Sequence, residues 1–518
     1  MKNHNPYLQQ VWSVIPRLLA LYDVDPISPT YGMGDRYRWA WKLIDFGNAT
    51  FQGAAHGLSL LLVHDLLPEG ISEAAVLRRI DSMFAGAEKL RYPNGSLEEA
   101  FPHESSFCVT ALAAYDLLSA AEALGNRIND ETRARYLGIV RPMVRFLQSA
   151  DETHAFISNH LATATAALYK WSLLTGEAGE ARGYEFMRRI LGEQSEEGWY
   201  REYEGADPGY QTLCTCYLAD VHRMRPDLKL IGSLRRSVQF LWYFAHPDGS
   251  FGGLYGSRNT RFYFPSGIEA LSAEIPEAAA LAAFMRQSVK SHFTVTLDVL
   301  DGPNLIPMFN SYCRAAVLFE SGGQAAEPPA VPSISEEVFS RQFSHSGLLI
   351  DKGVNHYTVI SWHKGGVCCH FSKGKRLINA GAVVRSSGDK YYGSQAYQAD
   401  NDMQIDGDGI SITSSFSAMT KHPPTPFQFI VLRLLNITLM RNLTIGNLIK
   451  KMLVSLLITG KKTVPVKNRR TIRLGADLVI EDNLQGETKG FSRLYVDQPF
   501  SAIHMASQGY WQRQDDEE

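Results

Sequence analysis

Polar loops centred on glycine recur at a nearly fixed interval along residues 1–322, and this recurrence constrains the fold more than any other feature of the chain. The loops are Tyr92-Pro93-Asn94-Gly95-Ser96-Leu97-Glu98-Glu99, Glu197-Gly198-Trp199-Tyr200-Arg201-Glu202-Tyr203 and Pro247-Asp248-Gly249-Ser250-Phe251-Gly252-Gly253-Leu254-Tyr255. Gly198 and Gly249 are 51 residues apart, and Gly95 lies 103 residues, or about two such periods, before Gly198. Fixed periods mark repeat architectures, and one near 50 suits a pair of antiparallel helices with their loops. The intervening sequence reads as helix. Ser106 to Leu118 places apolar residues at i, i+3, i+4 and i+7, Leu161 to Leu174 does the same and stops at Thr175-Gly176, and Ala278 to Met285 is alanine-rich. About six hairpins fit in 322 residues, so an (α/α) toroid is expected, with its recurring loops gathered around a cleft on one rim.

The pattern then changes. Ser321-Gly322-Gly323-Gln324-Ala325-Ala326-Glu327-Pro328-Pro329-Ala330-Val331-Pro332 has the composition of a boundary, and residues 323–334 are assigned as a linker. Beyond it, Ser346 to Ile350, His356 to Trp362, Ile410 to Phe416 and two runs within Arg470 to Glu481 are short and β-rich. Residues 335–518 are expected to form an antiparallel β-sandwich. One stretch interrupts this pattern: residues 421–473 contain eleven Lys or Arg, no Asp or Glu, and long apolar runs. It reads either as elements of the β domain with a solvated basic face, or as a surface for an anionic polymer or the inner membrane leaflet. It lacks the alternation of basic and aromatic residues that would suggest nucleic acid.

Composition narrows the classes further. Hydrophobic residues at 45% and charged residues at 20% are ordinary for a globular chain, and a formal charge of −3 gives no general attraction to nucleic acid. Six cysteines do not form a disulfide scaffold at this length, and neither Cys214/Cys216 nor Cys368/Cys369 has zinc spacing. No metal or cofactor is expected, although a divalent ion in the β domain is left open. The apolar stretch near the N-terminus is short and broken by Pro16 and Arg17, unlike an export signal, so the expected location is the cytoplasm, with membrane association through residues 421–473 as an option.

The residues best suited to chemistry are Asn159 and His160, in Ile157-Ser158-Asn159-His160-Leu161, and Tyr210, in Asp207-Pro208-Gly209-Tyr210. An amide can donate hydrogen bonds without acting as a base, an imidazole titrates near neutrality, and a phenol can exchange a proton if its pKa is brought down. The dipeptide also reads as a helix N-cap with a half-buried histidine. Candidates for saccharide contact are Arg36, His103, Glu104, Glu202, Asp207, Tyr255, Arg258 and Asn259; Arg258 suits a two-pronged grip on a carboxylate. From the β domain, His363 and His370 are candidates.

A helical toroid, a linker, an antiparallel β domain, an Asn-His pair and a tyrosine about 50 residues further on together resemble the heparinase II/III-like and alginate-lyase-like polysaccharide lyases. The resemblance implies β-elimination on an acidic saccharide: Asn159 would neutralise a uronate carboxylate, while His160 and Tyr210 would serve as base and acid, with the order left open. It also implies an acidic oligo- or polysaccharide as partner, in the synthesis or turnover of a surface polymer. The chain departs from the family in lacking a His-x-His-Asp-like run in the β domain, where it has His363-Lys364-Gly365-Gly366-Val367-Cys368-Cys369-His370. Two other functions fit the same architecture. Glu202, Asp207 or Glu104 could serve as paired carboxylates of a glycoside hydrolase, or the chain could bind saccharide without turning it over.

Overall fold

The computed structural model describes residues 4–153, 155–322, 328–407, 409–419, 425–455 and 462–494. Six helices form an inner ring: α3 (Ala54–Val63), α5 (Phe107–Leu124), α7 (Ser158–Thr175), α9 (Pro208–Met224), α11 (Ser266–Leu271) and α13 (Gly302–Ser321). Each packs on the next, and α13 closes on α3. Each also packs against one outer helix: α4 (Glu73–Leu90), α6 (Asp130–Ser149), α8 (Glu180–Gly192), α10 (Ile231–Leu241), α12 (Pro276–Lys290) and α1 (Pro6–Leu19). The short α2 (Arg36–Trp39) lies in the loop that enters α3. The sequence explains the two layers. Inner α5 and α7 are rich in Ala, Leu and Thr and buried nearly all round, as a helix enclosed by neighbours must be, whereas outer α6 and α8 bury one face only. By length and composition α5 could cross a membrane, but here it is a largely buried core helix.

The recurring glycines have a shared structural cause. In each loop the glycine N–H closes a tight turn onto the residue three before it, Tyr92, Ser195 or His246, and that residue's own N–H bonds to Ser96, Trp199 or Ser250. All three glycines have positive φ, at 91°, 101° and 87°. A Cβ on Gly95 would sit 2.0 Å from the Pro142 carbonyl oxygen of α6, and one on Gly198 2.1 Å from that of Arg236 on α10. At Gly95 and Gly198 the period therefore records where a rim turn presses against an outer helix, while Gly249 packs on the Phe293 side chain just beyond α12.

The sandwich comprises two antiparallel sheets. The first is a meander of β1 (Phe339–Phe343), β2 (Leu348–Lys352), β3 (His356–Ser361), β4 (Val367–Ser372) and β5 (Lys375–Asn379). The second runs in the order β11 (Val479–Gly486), β10 (Thr463–Arg473), β9 (Gly409–Ala418), β7 (Tyr391–Gly393), β6 (Val383–Ser386), β12 (Phe491–Leu494), with β8 (Asp402–Asp406) also on β9. The first sheet is apolar on both faces. Leu348, Ile350, Tyr357, Val359, Cys369 and Phe371 join the core of the toroid, while Leu349, Ile360, Trp362 and Cys368 meet Ile410, Ile412 and Ile472 of the second sheet. In the second sheet Arg470, only 1% exposed, grips Asp482 with two hydrogen bonds of 2.8 and 2.9 Å.

Between α13 and β1, residues 323–327 of the assigned linker lie outside the described residues. The basic apolar stretch is mainly helical before it enters β10: α14 (Pro426–Ile437) and α15 (Leu443–Val454) form an arm within the β9–β10 connection, while residues 421–424 and 456–461 lie outside the described residues. The arm reaches back to the toroid through Arg433, 3.0 Å from Asp45, and Lys450, 3.2 Å from Glu104.

The glycine geometry sets a test. Gly198→Ala must adopt a left-handed backbone and displace the Arg236 carbonyl, so it should cost about 2 kcal/mol or more. The expected result is a thermal midpoint about 2 °C or more below that of the parent chain by differential scanning calorimetry; an unchanged midpoint would show that the turn is not braced as described.

Candidate active site

The toroid and sandwich meet at the rim where the inner helices begin, and three rim loops are tied together there. Residues 156–158 pair antiparallel with 201–203: the Tyr203 N–H bonds to the Phe156 carbonyl at 3.0 Å and the Ser158 N–H to that of Arg201 at 3.1 Å. This pairing sets Asn159 beside Glu202. Asn159 lies inside the first turn of α7, with Ile157 as the cap residue, and its Nδ2 donates to Glu202 Oε1 at 2.8 Å. The helix-cap reading of Asn159 is therefore replaced by a side-chain contact between loops.

The loop after Gly253 completes the cluster. Arg258 Nη1 donates to the same Glu202 Oε1 at 3.1 Å, and its guanidinium lies 4.5 Å from the ring centroid of Tyr210 and 4.7 Å from that of Tyr203. Asp207 fixes the relative positions of these groups. Its Oδ1 caps α9 by accepting the Tyr210 N–H at 3.0 Å, and its Oδ2 accepts the N–H groups of Arg258 at 2.9 Å and Thr260 at 3.4 Å. Fully buried and engaged by backbone donors, Asp207 is a brace and is not placed to act as one of a pair of hydrolytic carboxylates. Arg258 Nε, though buried, has no acceptor among the described residues. Buried donors are normally satisfied, so this one is an exception at the centre of the cluster.

His160 stands next to this cluster, with Nδ1 2.7 Å from Glu152 Oε2. If Nδ1 carries the proton in that contact, the imidazole lone pair is on Nε2. Glu99, Glu104, Glu152 and Glu202 are all close enough to Cys108, in the first turn of α5, to raise its thiol pKa, although burial contributes most. Four carboxylates thus face one bowl. Glu104 is satisfied by the N–H groups of Glu99 at 3.0 Å and Ala100 at 2.8 Å and by Lys450 from the arm. Glu99 is exposed at the edge of this group; the surrounding protein and then Glu104 raise its carboxyl, and Lys450 opposes them.

Electrostatics divides the cluster by role. Burial pushes Glu202 up to about 7, against the opposing effects of Arg258 and Asn159. Burial also raises the Tyr210 phenol, and Arg258 only partly offsets this, so Tyr210 is protonated at neutral pH. Burial works against the Arg258 charge, but Tyr210, Tyr203, Glu202 and Asp207 outweigh it and the guanidinium stays charged. The rim is also strained: His103, Ser105, Tyr203 and Asn259 all have φ between 50° and 59°, a region costly for residues other than glycine.

The remaining predicted residues divide into two groups. Some belong to the rim without joining the cluster. His103 packs against Tyr92 and donates its N–H to Glu98, and Asn259 accepts from Lys364, a buried β3–β4 turn residue that also binds the Gly256 carbonyl at 2.9 Å. His363 bonds to Tyr397 at 3.0 Å, and Tyr397 lies against Gly205, so this histidine stands one layer behind the Glu202 turn. The others are placed elsewhere. Arg36 is exposed over Trp39, Tyr255 is buried in the core with its hydroxyl 2.8 Å from His246, and His370 lies inside the sandwich bonded to Thr358 at 2.8 Å. Sequence reasoning missed Glu99, Glu152, Tyr203, Cys108, Lys364 and Lys450. Tyr203 and Glu99 were legible as polar members of the glycine loops, whereas Lys450 arrives from far along the chain with no local signal. Among the described residues no group of three or more His, Cys, Asp or Glu could hold a metal ion. A separate cavity lined by His246, Arg261, His292, Cys369 and Arg376 contains none of the Asn159 cluster.

The architecture, a helical toroid followed by an antiparallel sandwich, is found in solved structures. Chondroitin AC lyase from Streptomyces coelicolor A3 superposes with a TM-score of 0.51 at 11% identity, over 92% of this chain and 66% of that one. Xanthan lyase from Paenibacillus matches at a TM-score of 0.45 and 11% identity, over 79% of this chain and 45% of the other. Cellobiose 2-epimerase from Bacillus thermoamylovorans B4167 matches at 0.44 and 9%, over 60% of this chain and 98% of its own. The chain thus spans less than two thirds of either lyase. No protein-family model and no curated protein matches the sequence. At these identities the likeness establishes the fold, a helical toroid followed by an antiparallel sandwich.

Glu202 provides a pH test. Its pKa is raised on folding, so its contribution to stability is fully present below the unfolded value of 4.5 and is lost as pH rises through about 7. Glu202→Gln shifts absolute stability through the loss of a charge partner for Arg258, but the pH slope depends only on proton uptake. Between pH about 4.5 and about 7 the thermal midpoint of Glu202→Gln should therefore fall less steeply than that of the parent; parallel curves would show that Glu202 titrates normally.

Proposed function

We propose that the protein is a carbon–oxygen lyase that cleaves a uronate-containing saccharide by β-elimination. The observation that supports this most directly is the convergence of Asn159, Arg258 and Tyr210 around Glu202, with the His160–Glu152 pair alongside. The C5 proton of a uronate becomes acidic once its carboxylate charge is neutralised, and the amide of Asn159 and the unpartnered Nε of Arg258 are donors suited to that carboxylate and to the enolate that follows. His160, oriented by Glu152, takes the C5 proton. The C5–H electron pair forms the C4–C5 double bond, the C4–O bond breaks, and Tyr210 gives its phenolic proton to the departing oxygen. A buried phenol with a raised pKa suits the acid role over the base role. The products are an unsaturated uronate and a new chain end, and solvent restores both protonation states.

A second reading, glycoside hydrolysis, is favoured by one observation: Glu202 is a buried carboxyl held near neutrality by its surroundings, as a general acid requires. The two reactions leave different products. Elimination generates a conjugated double bond with ultraviolet absorbance, and hydrolysis produces reducing ends without it.

Acidic polysaccharides, chondroitin sulfate and heparin among them, are the substrates to test. The expected outcome is growth of ultraviolet absorbance with the parent chain, a fall of about 100-fold or more in kcat for Tyr210→Phe and for His160→Ala, and saccharide binding by Tyr210→Phe within a few-fold of the parent. Reducing ends without absorbance would favour the hydrolase. Binding by the parent with no turnover of any acidic glycan would sink both and leave a saccharide-binding protein.

A further inference from the structure

The α14–α15 arm is amphipathic in the reverse of the usual sense. On α14, Phe427, Ile430, Val431, Leu434 and Ile437 fall at i, i+3, i+4, i+7 and i+10, and all are exposed, Phe427 to 72%. On α15, Ile445, Leu448 and Met452 continue this at i, i+3 and i+7, with Leu448 exposed to 68%. The polar residues turn inward: Asn436 is fully buried, Arg433 pairs with Asp45 and Lys450 with Glu104. A helix in water normally does the opposite, and an apolar face of this extent marks a contact surface.

Charge and neighbours indicate what covers it. Residues 425–455 contain no Asp or Glu, and Arg441 and Lys451 are exposed beside the apolar stripes. The segment gripped by Arg433 carries Tyr37 and Trp41, each 63% exposed, and Leu43, 72% exposed. Trp and Tyr are the residues that favour the boundary between water and lipid. A second copy of the arm would bring more cations and no Asp or Glu to pair with Arg441 and Lys451, whereas anionic headgroups attract them. We infer that the α14–α15 arm is an interfacial anchor that lays the cleft-bearing rim of the toroid on an anionic lipid surface. This holds whatever reaction the cleft performs. Through Lys450 and Glu104 the anchor is fastened to the bowl itself, so the cleft opens beside the membrane.

Co-sedimentation of the full chain with sucrose-loaded vesicles tests this. The parent should pellet with phosphatidylcholine vesicles containing phosphatidylglycerol, much less with phosphatidylcholine alone, and less as salt is raised. Ile430→Asp combined with Leu448→Asp should weaken partitioning about tenfold or more with the thermal midpoint unchanged, and Arg441→Glu combined with Lys451→Glu should remove the preference for anionic lipid. Brominated lipid should quench fluorescence in the parent, and Trp41→Phe should lose part of that quenching, a readout that leaves the arm unaltered. The inference is overturned if the parent ignores anionic vesicles, if the aspartate variant binds as well as the parent, or if quenching is absent. It is equally overturned if the chain forms a dimer that the aspartate variant dissolves while neither form binds lipid.

Discussion

Glu202 and Arg258 form a buried ion pair on which the arrangement of the rim depends. Each comes from a different loop, and Asn159 joins them from a third. Removing one partner of such a pair leaves an uncompensated charge at a cost of about 3–5 kcal/mol, far more than a surface bridge contributes. The pair is therefore weak evidence for overall stability, but its contacts tie the three loops to one another through a single carboxylate oxygen. Asp207 enforces the same geometry from below, because its two oxygens bind the start of α9 and the backbone of the Arg258 loop. Tyr210 is held under the guanidinium as a result, and a residue 48 positions away in sequence partly offsets what burial does to its phenol.

The fold was legible where physics acts locally or periodically. Helix periodicity, the glycine interval and the change to short β-rich runs are each local, and together they led to a toroid followed by a sandwich. The glycine interval was informative for a different reason than polar loops suggest. Gly95 and Gly198 are required by contact with the carbonyls of Pro142 and Arg236, which makes the period a record of packing between rim turns and outer helices. The loop before Asn159 lacks a glycine, so the two-period interval between Gly95 and Gly198 carries no such marker near its midpoint.

The site was legible only in part. Asn159, Glu202, Tyr210 and Arg258 were all singled out, yet the sequence could not show that Glu202 would be their common centre, since that depends on pairing between residues 156–158 and 201–203. Tyr255 and Arg36 were chosen because aromatic and charged residues in a rim loop suit sugar contact; the structure turns Tyr255 into the core beside His246 and leaves Arg36 on the outside. Lys364 and Lys450 enter from the second half of the chain by tertiary folding alone, and no spacing rule reaches across such distances.

A bowl with four glutamates would seem hostile to an acidic saccharide, but counting carboxylates overstates its charge. Glu104 is matched by Lys450, Glu202 by Arg258, and Glu152 is engaged with His160. Glu202 is near half-protonated at neutral pH and Glu99 is displaced in the same direction. The first turns of α5, α7 and α9, marked by Cys108, Asn159 and Tyr210, lie at this rim, so the positive ends of three helix dipoles lie there too. The field an incoming carboxylate meets is therefore set by Arg258 and the helix termini more than by the glutamates. Because the carboxyls that remain are those most easily protonated, that field becomes more favourable to an anion as pH falls towards 7 and below. The arm contributes to the same balance: by supplying Lys450 it cancels Glu104 at the edge of the bowl, so whatever seats the arm also tunes the charge of the cleft.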